Sequence, residues 1–403
     1  MKKIENFTIT NNISKKTNSK KFTKSTFFNQ KIFQESLIGN KNFFQYFHQN
    51  YKLNFARFNK FKKFKQIVIV GMGGSSLGAN AIKSFLIERI KKDIIFFDNL
   101  DELKLYNFDK SKKFGKFLFI IISKSGNTLE TILISNFLNS KYLKKNNTII
   151  ITEDNNNALN SFAKKRNFEI VKHNPTIGGR YSVLSEVAML PAFLMGLKID
   201  KFKKGILSVT KKNKSKLFLG VNEMVKKFQS KKYSSLVLLS YHPRLEQFLF
   251  WYQQLFAESL GKKGNGLLPV VSSTPKDHHS LLQLYLDGPK DKIFYFFSID
   301  ESSGKKLKNN FFGSKFNILS QKSLSEIARI QKDSLIDVFE RKKIPFREFK
   351  ITSTNEESLA ELFSFFMLET FLIGKKLKIN PFDQPAVEEV KKRTFQRLKN
   401  RTK

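Results

Sequence analysis

Two short turns rich in glycine and hydroxyl groups are the places in this sequence where an anion would bind. The first, residues 71–78 (GMGGSSLG), follows the apolar run 66–70 and precedes a helical stretch. Glycines at a strand-to-helix turn let backbone N–H groups approach an anion, and the helix N-terminus adds partial positive charge. The turn lacks the lysine of a P-loop, so alone it fits either a phosphate or a dinucleotide.

The second turn, residues 123–128 (SKSGNT), follows the apolar run 117–122 and offers hydroxyl, amide and ammonium donors suited to a phosphate monoester. Asn127 and Glu130 also have the spacing of a capping box, which would cap the following helix. Two anion-binding turns at the carboxyl ends of strands in one sheet favour a phosphosugar over a dinucleotide.

Short apolar runs alternating with helical stretches predict the elements that position these turns. The first series comprises 66–70, 93–98, 116–123 and 147–153, and a second series comprises 234–240, 267–273, 292–298 and 345–352. Such runs are typical of parallel strands covered on both faces. We therefore predict an α/β protein with two doubly wound parallel-sheet domains, each a three-layer α/β/α arrangement, and a C-terminal helix.

The predicted domain organisation has four parts. Residues 1–50 form a polar N-terminal segment that we expect to wrap the first domain as helices and loops. Residues 51–200 form the first domain, with the phosphate-binding turns, and residues 201–375 the second. Residues 376–403 form a helical arm, in which Gln384 lies near the cap and Pro385 occupies the first helical position.

Composition narrows the chemistry and the partners. The 403 residues include no cysteine, which excludes thiolate nucleophiles, thiolate metal sites and disulfides. The net charge of +39 permits a nucleic-acid partner, but lysine is spread along the chain rather than clustered, so we expect no nucleic-acid partner. Charges interrupt the most apolar helical stretch, and the N-terminus has no apolar signal segment, so we expect a soluble cytoplasmic protein with no membrane partner.

Six motifs, in order, give the sequence a specific resemblance. They are GMGGSSLG at 71–78, SKSGNTLET at 123–131, GGRYSVLS at 178–185, QQLFAESLGKKGNG at 253–266, STPKDHHS at 273–280 and NPFDQPAVEEVK at 380–391. The chain resembles the sugar isomerase (SIS) fold family and, within it, more closely the glucose-6-phosphate isomerases. The resemblance spans nearly all of the chain beyond its first 65 or so residues.

The resemblance implies a role for individual residues of this chain. Glu258 matches the base that moves a proton between C2 and C1 through a cis-enediol, and Arg180 matches the arginine that stabilises the enediolate. His279 matches the ring-opening histidine, and Lys391 matches the lysine at the ring oxygen. The residues that match phosphate or substrate ligands are Gly74, Ser75, Ser123, Lys124, Ser125, Thr128, Gln254 and Gln384.

The chemistry of these residues is consistent with the implied roles. Glu258 follows Gln254 by four residues on a predicted helix, so both project from one face and reach one substrate. A guanidinium such as that of Arg180 stabilises an enediolate more strongly in the transition state than in the ground state. Histidine is suited to proton transfer at neutral pH, but His278 stands where the family commonly has glutamine, which leaves the identity of the ring-opening histidine ambiguous.

The implied function is the reversible isomerisation of glucose 6-phosphate to fructose 6-phosphate by a homodimer, in which the histidine reaches the neighbouring subunit's site. A second departure from the family, Ala386 in place of glycine, adds a methyl group in the turn before Lys391. No metal or cofactor is expected. The alternatives are another SIS isomerase acting on mannose or aminosugar phosphates, and a noncatalytic phosphosugar-binding protein.

Overall fold

The computed structural model describes residues 6–13, 30–36, 42–110, 117–139, 141–300 and 304–401, and it contains two five-stranded sheets. Their strands are continuous runs of Ile, Val, Leu and Phe. In β4 (Phe117–Ile122) every residue is buried, because helices cover both faces of the sheet. The predicted α/β class, with two doubly wound sheets, is confirmed.

The first sheet is parallel throughout and has the strand order β3-β2-β4-β5-β6. Its strands are β2 (Gln66–Val70), β3 (Asp93–Phe97), β4, β5 (Thr148–Thr152) and β6 (Glu169–Lys172). The adjacent central strands, β2 and β4, each lead into one of the two predicted anion-binding turns. Strand β6 was missed, because four residues of mixed polarity at a sheet edge give little apolar signal.

The second sheet has the order β1-β10-β9-β7-β8, and β1 is antiparallel to β10. Its strands are β1 (Phe7–Asn11), β7 (Ser235–Ser240), β8 (Leu268–Ser273), β9 (Lys292–Ile299) and β10 (Phe346–Ile351). The expectation that residues 1–50 wrap the first domain as helices and loops is therefore wrong for Phe7–Asn11, which extend the second sheet. The larger part of residues 1–41 lies outside the described residues.

Helices pack on both faces of each sheet, and three apolar clusters fill the spaces between the layers. The helices are α1 (residues 30–36), α2 (Leu77–Phe85), α3 (Glu102–Lys110), α4 (Leu129–Asn139), α5 (Ala158–Arg166), α6 (Glu186–Leu194), α7 (Ile199–Lys212), α8 (Lys214–Gln229), α9 (Glu246–Leu260), α10 (Leu282–Asp287), α11 (Leu324–Arg341), α12 (Glu356–Lys376) and α13 (Pro385–Arg401). The largest cluster includes residues of both sheets, such as Ile69 and Tyr295, so the two halves share one core.

Helix α13 begins at Pro385, as predicted, and residues 385–400 are exposed along their whole length. The boundaries proposed for the four parts of the chain remain predictions. Within the described ranges, no helix combines the length and the apolar character needed to cross a membrane.

Candidate active site

The first glycine-rich turn forms a 3₁₀ turn, Gly73–Ser75, between β2 and α2, so that the N-terminus of α2 follows it directly. A Cβ added to Gly71 would lie 2.9 Å from the Ile122 carbonyl oxygen, which places this turn against the end of β4. A Cβ on Gly74 would lie 2.3 Å from Gly179, and this position therefore requires glycine. Gly74 thus brings the turn into contact with the backbone that carries Arg180.

The second turn connects β4 to α4 and presents the predicted hydroxyl groups. The Ser123 and Thr128 hydroxyl oxygens are 2.8 Å apart, and the Ser125 hydroxyl accepts a 3.3 Å hydrogen bond from the Asn127 amide. Gly126 has a φ of +66°, and a Cβ there would lie 1.8 Å from the Asn157 amide oxygen. Because β2 and β4 are parallel neighbours, the two turns lie side by side at one edge of the sheet.

Two side chains of the second turn contact other parts of the protein, and the capping box predicted for this turn is wrong. The Lys124 ammonium donates to the Pro175 carbonyl oxygen at 2.8 Å and lies 3.6 Å from the Glu153 carboxylate, so it is already paired within the protein. Asn127 does not form a capping box with Glu130; its side-chain oxygen accepts from the Ala158 amide at 3.0 Å. Asn127 instead links the turn to the first residue of α5.

Glu258 and Gln254 lie one turn apart on α9, as predicted, and the Gln254 amide nitrogen donates to Glu258 Oε1 at 3.0 Å. The same nitrogen would be 2.8 Å from a Cβ on Gly73, so Gln254 lies between the first turn and the carboxylate. The Gln254 side-chain oxygen is a buried acceptor without a hydrogen-bond partner in the part of the chain that the structure describes, which is uncommon in a folded protein.

Arg180 is the buried centre of the site, and its five N–H groups make five hydrogen bonds. Nε donates to the Ser259 hydroxyl at 2.9 Å. Nη1 donates to Glu258 Oε2 at 3.3 Å and to Gln384 Oε1 at 3.0 Å. Nη2 donates to two backbone carbonyls, those of Pro381 at 2.7 Å and Asp383 at 3.0 Å. Arg180 therefore joins the catalytic-base candidate to Gln384.

Lys262 and Asp383 had no predicted role, although they belong to the motifs at 253–266 and 380–391. The Lys262 ammonium donates to the Asn380 carbonyl at 2.6 Å, and to the Asp383 carbonyl and carboxylate at 2.5 Å and 2.7 Å. This pairing with Lys262 is the main cause of the lowered pKa of Asp383. In the sequence, the one indication of a role for Lys262 is its position four residues after Glu258. The groups that Lys262 contacts become known only from the fold.

The two adjacent histidines occupy different environments on the 3₁₀ turn Lys276–His279 after β8. His278 Nε2 lies 2.7 Å from the Tyr241 hydroxyl oxygen, and burial together with the neighbouring His279 lowers the pKa of His278. His279 is exposed. Asp277 fixes this turn by accepting from the Ser272 hydroxyl and the Ser273 amide at 2.8 Å and 2.9 Å.

Among the described residues, no hydrogen bond or ion pair joins His279 or Lys391 to the cluster around Arg180. Lys391 is 55% exposed and its ammonium lies 2.7 Å from Glu388 on the same helix. The structure therefore brings together Gly74, Arg180, Gln254, Glu258 and Gln384, beside the turns that carry Ser75, Ser123, Lys124, Ser125 and Thr128. Within the described ranges, no group of three or more His, Asp and Glu side chains has the arrangement of a metal site.

The two turns at 71–78 and 123–128, whose backbone and hydroxyl groups suit an anion, lie next to the Glu258 carboxylate, which contacts the buried guanidinium of Arg180. Glu258 is 30% exposed while Arg180 is 3% exposed, so the carboxylate faces the open side of the site. A ligand with a phosphate group at one end and a carbon acid at the other would fit these two parts together.

Comparisons with known proteins agree on one family. The sequence model described as phosphoglucose isomerase matches residues 40–402. The glucose-6-phosphate isomerase of Methanocaldococcus jannaschii is 30% identical over 87% of this chain and 88% of its own. That of Mycoplasmopsis synoviae is 30% identical over 83% of this chain and 82% of its own.

Two solved structures show the same fold at lower sequence identity. A hypothetical protein from Thermus thermophilus superposes with a TM-score of 0.81 at 21% identity, covering 94% of this chain and 97% of that one. A glucose-6-phosphate isomerase from Chlamydia trachomatis has a TM-score of 0.79 at 17% identity, covering 100% of this chain and 90% of that one.

Proposed function

Because the chain belongs to the phosphoglucose isomerase family, we propose that the cluster around Arg180 is its active site. The reaction is the reversible interconversion of D-glucose 6-phosphate and D-fructose 6-phosphate, an aldose–ketose isomerisation. The observation that carries the site assignment is the 3.3 Å contact between Arg180 and Glu258 beside the two anion-binding turns. An assay coupled to the consumption of fructose 6-phosphate tests the activity directly.

In the proposed mechanism, Glu258 removes the proton from C2 and returns it to C1 through a cis-enediol. One carboxylate serves both carbons because they are adjacent. Gln254 and Arg180 support this role, since each donates to a different oxygen of Glu258 and together they fix the carboxylate plane. Arg180 also stabilises the negative charge that develops on the enediolate, an effect that is large in a partly dehydrated site.

The proposed phosphate site consists of the backbone and hydroxyl groups of the two turns. The N-termini of α2 and α4 follow the turns, and both add positive potential for an anion. Ser75, Ser123, Ser125 and Thr128 supply hydroxyl donors. We assign to Gly74 the role of allowing the close approach to Gly179, and to Lys124 a backbone contribution, because its ammonium is paired elsewhere.

Ring opening requires a proton to leave one oxygen and another to reach the ring oxygen. We assign the first transfer to His279 and the second to Lys391, with Gln384 binding the substrate. His279 is the better candidate of the two histidines, because His278 is engaged with Tyr241. Lys391 is paired with Glu388. For Lys391 to reach the ring oxygen, the substrate or a neighbouring subunit must displace this contact.

A homodimer is proposed, with His279 reaching the active site of the partner subunit. Two features support this arrangement: His279 is exposed and has no bond to the cluster around Arg180 within the described ranges, and large apolar side chains are exposed between residues 304 and 324. Phe311 is 83% exposed, Phe312 82% and Leu324 89%. An exposed apolar surface of this kind is typical of an interface between subunits.

Mixing two inactive variants tests the exchange of His279. If the histidine acts in the partner's site, a mixed dimer of Glu258→Gln and His279→Ala subunits has one complete site. Statistical mixing then restores activity to about a quarter of all sites. If His279 serves its own subunit, every site in the mixture lacks one group and no activity returns, which would refute the exchange.

The cytoplasm is the proposed location, because the substrates of this family are charged phosphate esters that stay within the compartment where they are made. Fractionation of cells that express the protein tests this.

Turnover of mannose 6-phosphate and glucosamine 6-phosphate, measured beside glucose 6-phosphate, tests the substrate assignment; faster turnover of either alternative would overturn it.

A further inference from the structure

We propose that Lys262 is a positioning residue that keeps Arg180 available to Glu258 by binding the segment Asn380–Asp383. This inference rests on the proposed role of Arg180 in stabilising the enediolate. It deepens that function by adding a group that acts through Arg180 without touching the substrate.

The segment Asn380–Asp383 is held by cations from two directions. Arg180 Nη2 donates to the Pro381 and Asp383 carbonyls at 2.7 Å and 3.0 Å. Lys262, which follows the end of α9, donates to the Asn380 and Asp383 carbonyls at 2.6 Å and 2.5 Å. The Asp383 carbonyl therefore accepts from both cations, so the two nitrogens lie close together despite their like charge.

The Asp383 carboxylate is the group that makes Lys262 necessary. It is 2.7 Å from the Lys262 ammonium and also interacts with the charge of Arg180. Without Lys262, this carboxylate would keep the 3.0 Å hydrogen bond from the Asn380 side-chain amide but would lose its paired cation. It would then compete with Glu258 for the Arg180 guanidinium. Carboxylates bind guanidinium strongly and with two-point geometry, so such competition would move Arg180 away from its productive position.

The same segment leads to Gln384 and to helix α13. Phe382 packs near Tyr181 and Phe371, with ring centres 5.4 Å and 5.9 Å apart, so apolar contacts hold the segment even when the charge is removed. Loss of Lys262 is therefore expected to loosen the orientation of the segment rather than unfold the protein.

Steady-state kinetics of Lys262→Met test the proposal, with Lys263→Met as the matched control. Lys263 is the next residue and its side chain is exposed, so the control removes one neighbouring charge without removing the contacts that Lys262 makes. We expect Lys262→Met to lower kcat about tenfold with a smaller change in KM, because Arg180 acts mainly in the transition state. Lys262→Arg should restore most of the rate, because it keeps the charge and the donors.

A double variant tests the competition directly. Changing Asp383→Asn in the Lys262→Met background removes the competing anion and should recover part of kcat. Equal rates for Lys262→Met and the wild type, or the same loss in Lys263→Met, would overturn the proposal. So would a lack of recovery in the double variant.

Amide hydrogen exchange gives a readout that does not depend on turnover. We expect faster exchange at residues 380–384 in Lys262→Met than in the wild type or in Lys263→Met. Unchanged exchange would refute the positioning role even in a chain without isomerase activity. Conversely, an inactive wild-type chain with the expected exchange pattern would refute the proposed function and leave the positioning role of Lys262 standing.

Discussion

Arg180 and Glu258 meet at 3.3 Å although they belong to different parts of the chain, the 3₁₀ turn Gly179–Leu184 and the last turn of α9. The arginine is nearly inaccessible and the carboxylate is open to the site. The buried Arg180 guanidinium donates to four acceptors besides Glu258, and these hydrogen bonds restrict its movement. Arg180 therefore orients the Glu258 carboxylate rather than the reverse.

Glu258→Gln is expected to lower kcat roughly a thousandfold, because the amide cannot accept the C2 proton. Substrate binding should persist, since the phosphate contacts lie in the two turns. The measurement is turnover together with the dissociation constant of glucose 6-phosphate. Glu246→Gln, at the start of the same helix, is the control and should keep full activity; unchanged turnover in Glu258→Gln would exclude it as the base.

Thr128→Val removes a hydroxyl that pairs with Ser123 while nearly preserving side-chain shape. We expect KM to rise roughly tenfold with a smaller effect on kcat, because a hydrogen bond to a charged phosphate is lost. Inhibition by inorganic phosphate should weaken in parallel. Thr131→Val is the matched control, since the Thr131 hydroxyl is buried one turn further on and has no hydrogen-bond partner among the described residues. Equal effects of the two changes would argue against a phosphate site.

His279→Ala is expected to slow conversion of the cyclic substrate far more than proton exchange on a sugar that cannot cyclise. Erythrose 4-phosphate is a suitable open-chain probe, because its terminal oxygen is esterified, and exchange of its C2 proton with deuterated solvent is measurable by NMR. His278→Ala should affect both substrates similarly, because it removes the contact with Tyr241 that supports the turn. Equal losses on the two substrates in His279→Ala would refute the ring-opening role.

The sequence was sufficient for the parts of the fold with strong local signals. Apolar runs such as 117–122 predicted the parallel strands, and Pro385 predicted the start of α13. Strand β1 was not predictable in the same way, because Phe7–Asn11 pairs with β10, more than three hundred residues away in the chain. No local pattern contains the information about such a partner.

The motifs predicted which residues form the candidate site, but they did not predict which atoms those residues contact. Glu258 and Gln254 were placed on one helix face from their spacing alone, and their hydrogen bond confirms that geometry. The link from Arg180 to the Asp383 carbonyl required the fold, because backbone acceptors have no signature in sequence. The hydrogen bond from Lys124 to the Pro175 carbonyl could not be predicted from the sequence for the same reason.

His173 gives an expected pH dependence of stability. It is buried, and burial lowers its pKa from 6.5 to about 4. Between these values the unfolded chain binds a proton that the folded chain does not, so the free energy of unfolding falls as the pH drops from 6.5 to 4. The contribution is on the order of 3 kcal/mol.

Urea unfolding of the wild type and of His173→Asn across this pH range measures that contribution. Asparagine keeps a donor for the Asn174 carbonyl, which lies 2.9 Å from His173 Nδ1, but it does not titrate. The wild type should therefore lose more stability than the variant on acidification. Parallel pH profiles would show that His173 is not the group responsible.

Gly220 on α8 makes room for a buried ion pair between strand β10 of the second sheet and helix α12. Arg347 Nη1 donates to Glu369 at 2.6 Å and to the Tyr295 hydroxyl at 2.9 Å, and these side chains are fully buried. A Cβ at position 220 would lie 2.5 Å from Arg347 Nη2 and 2.7 Å from Glu369 Oε1. The pair therefore requires glycine at this helical position.

Gly220→Ala is expected to destabilise the protein by about 2 kcal/mol or more, although alanine in an unobstructed helix would stabilise it by up to about 1 kcal/mol. The change in stability at Gly220 has the opposite sign because the added methyl group displaces a buried charge from its partner. Gly374→Ala on α12 is the comparison variant: a Cβ there would lie 3.3 Å from the Ile379 carbonyl oxygen, which is a milder clash, so it should destabilise the protein less than Gly220→Ala. Thermal unfolding of both variants measures the difference, and an increase in Tm for Gly220→Ala would show that the ion pair does not depend on this glycine.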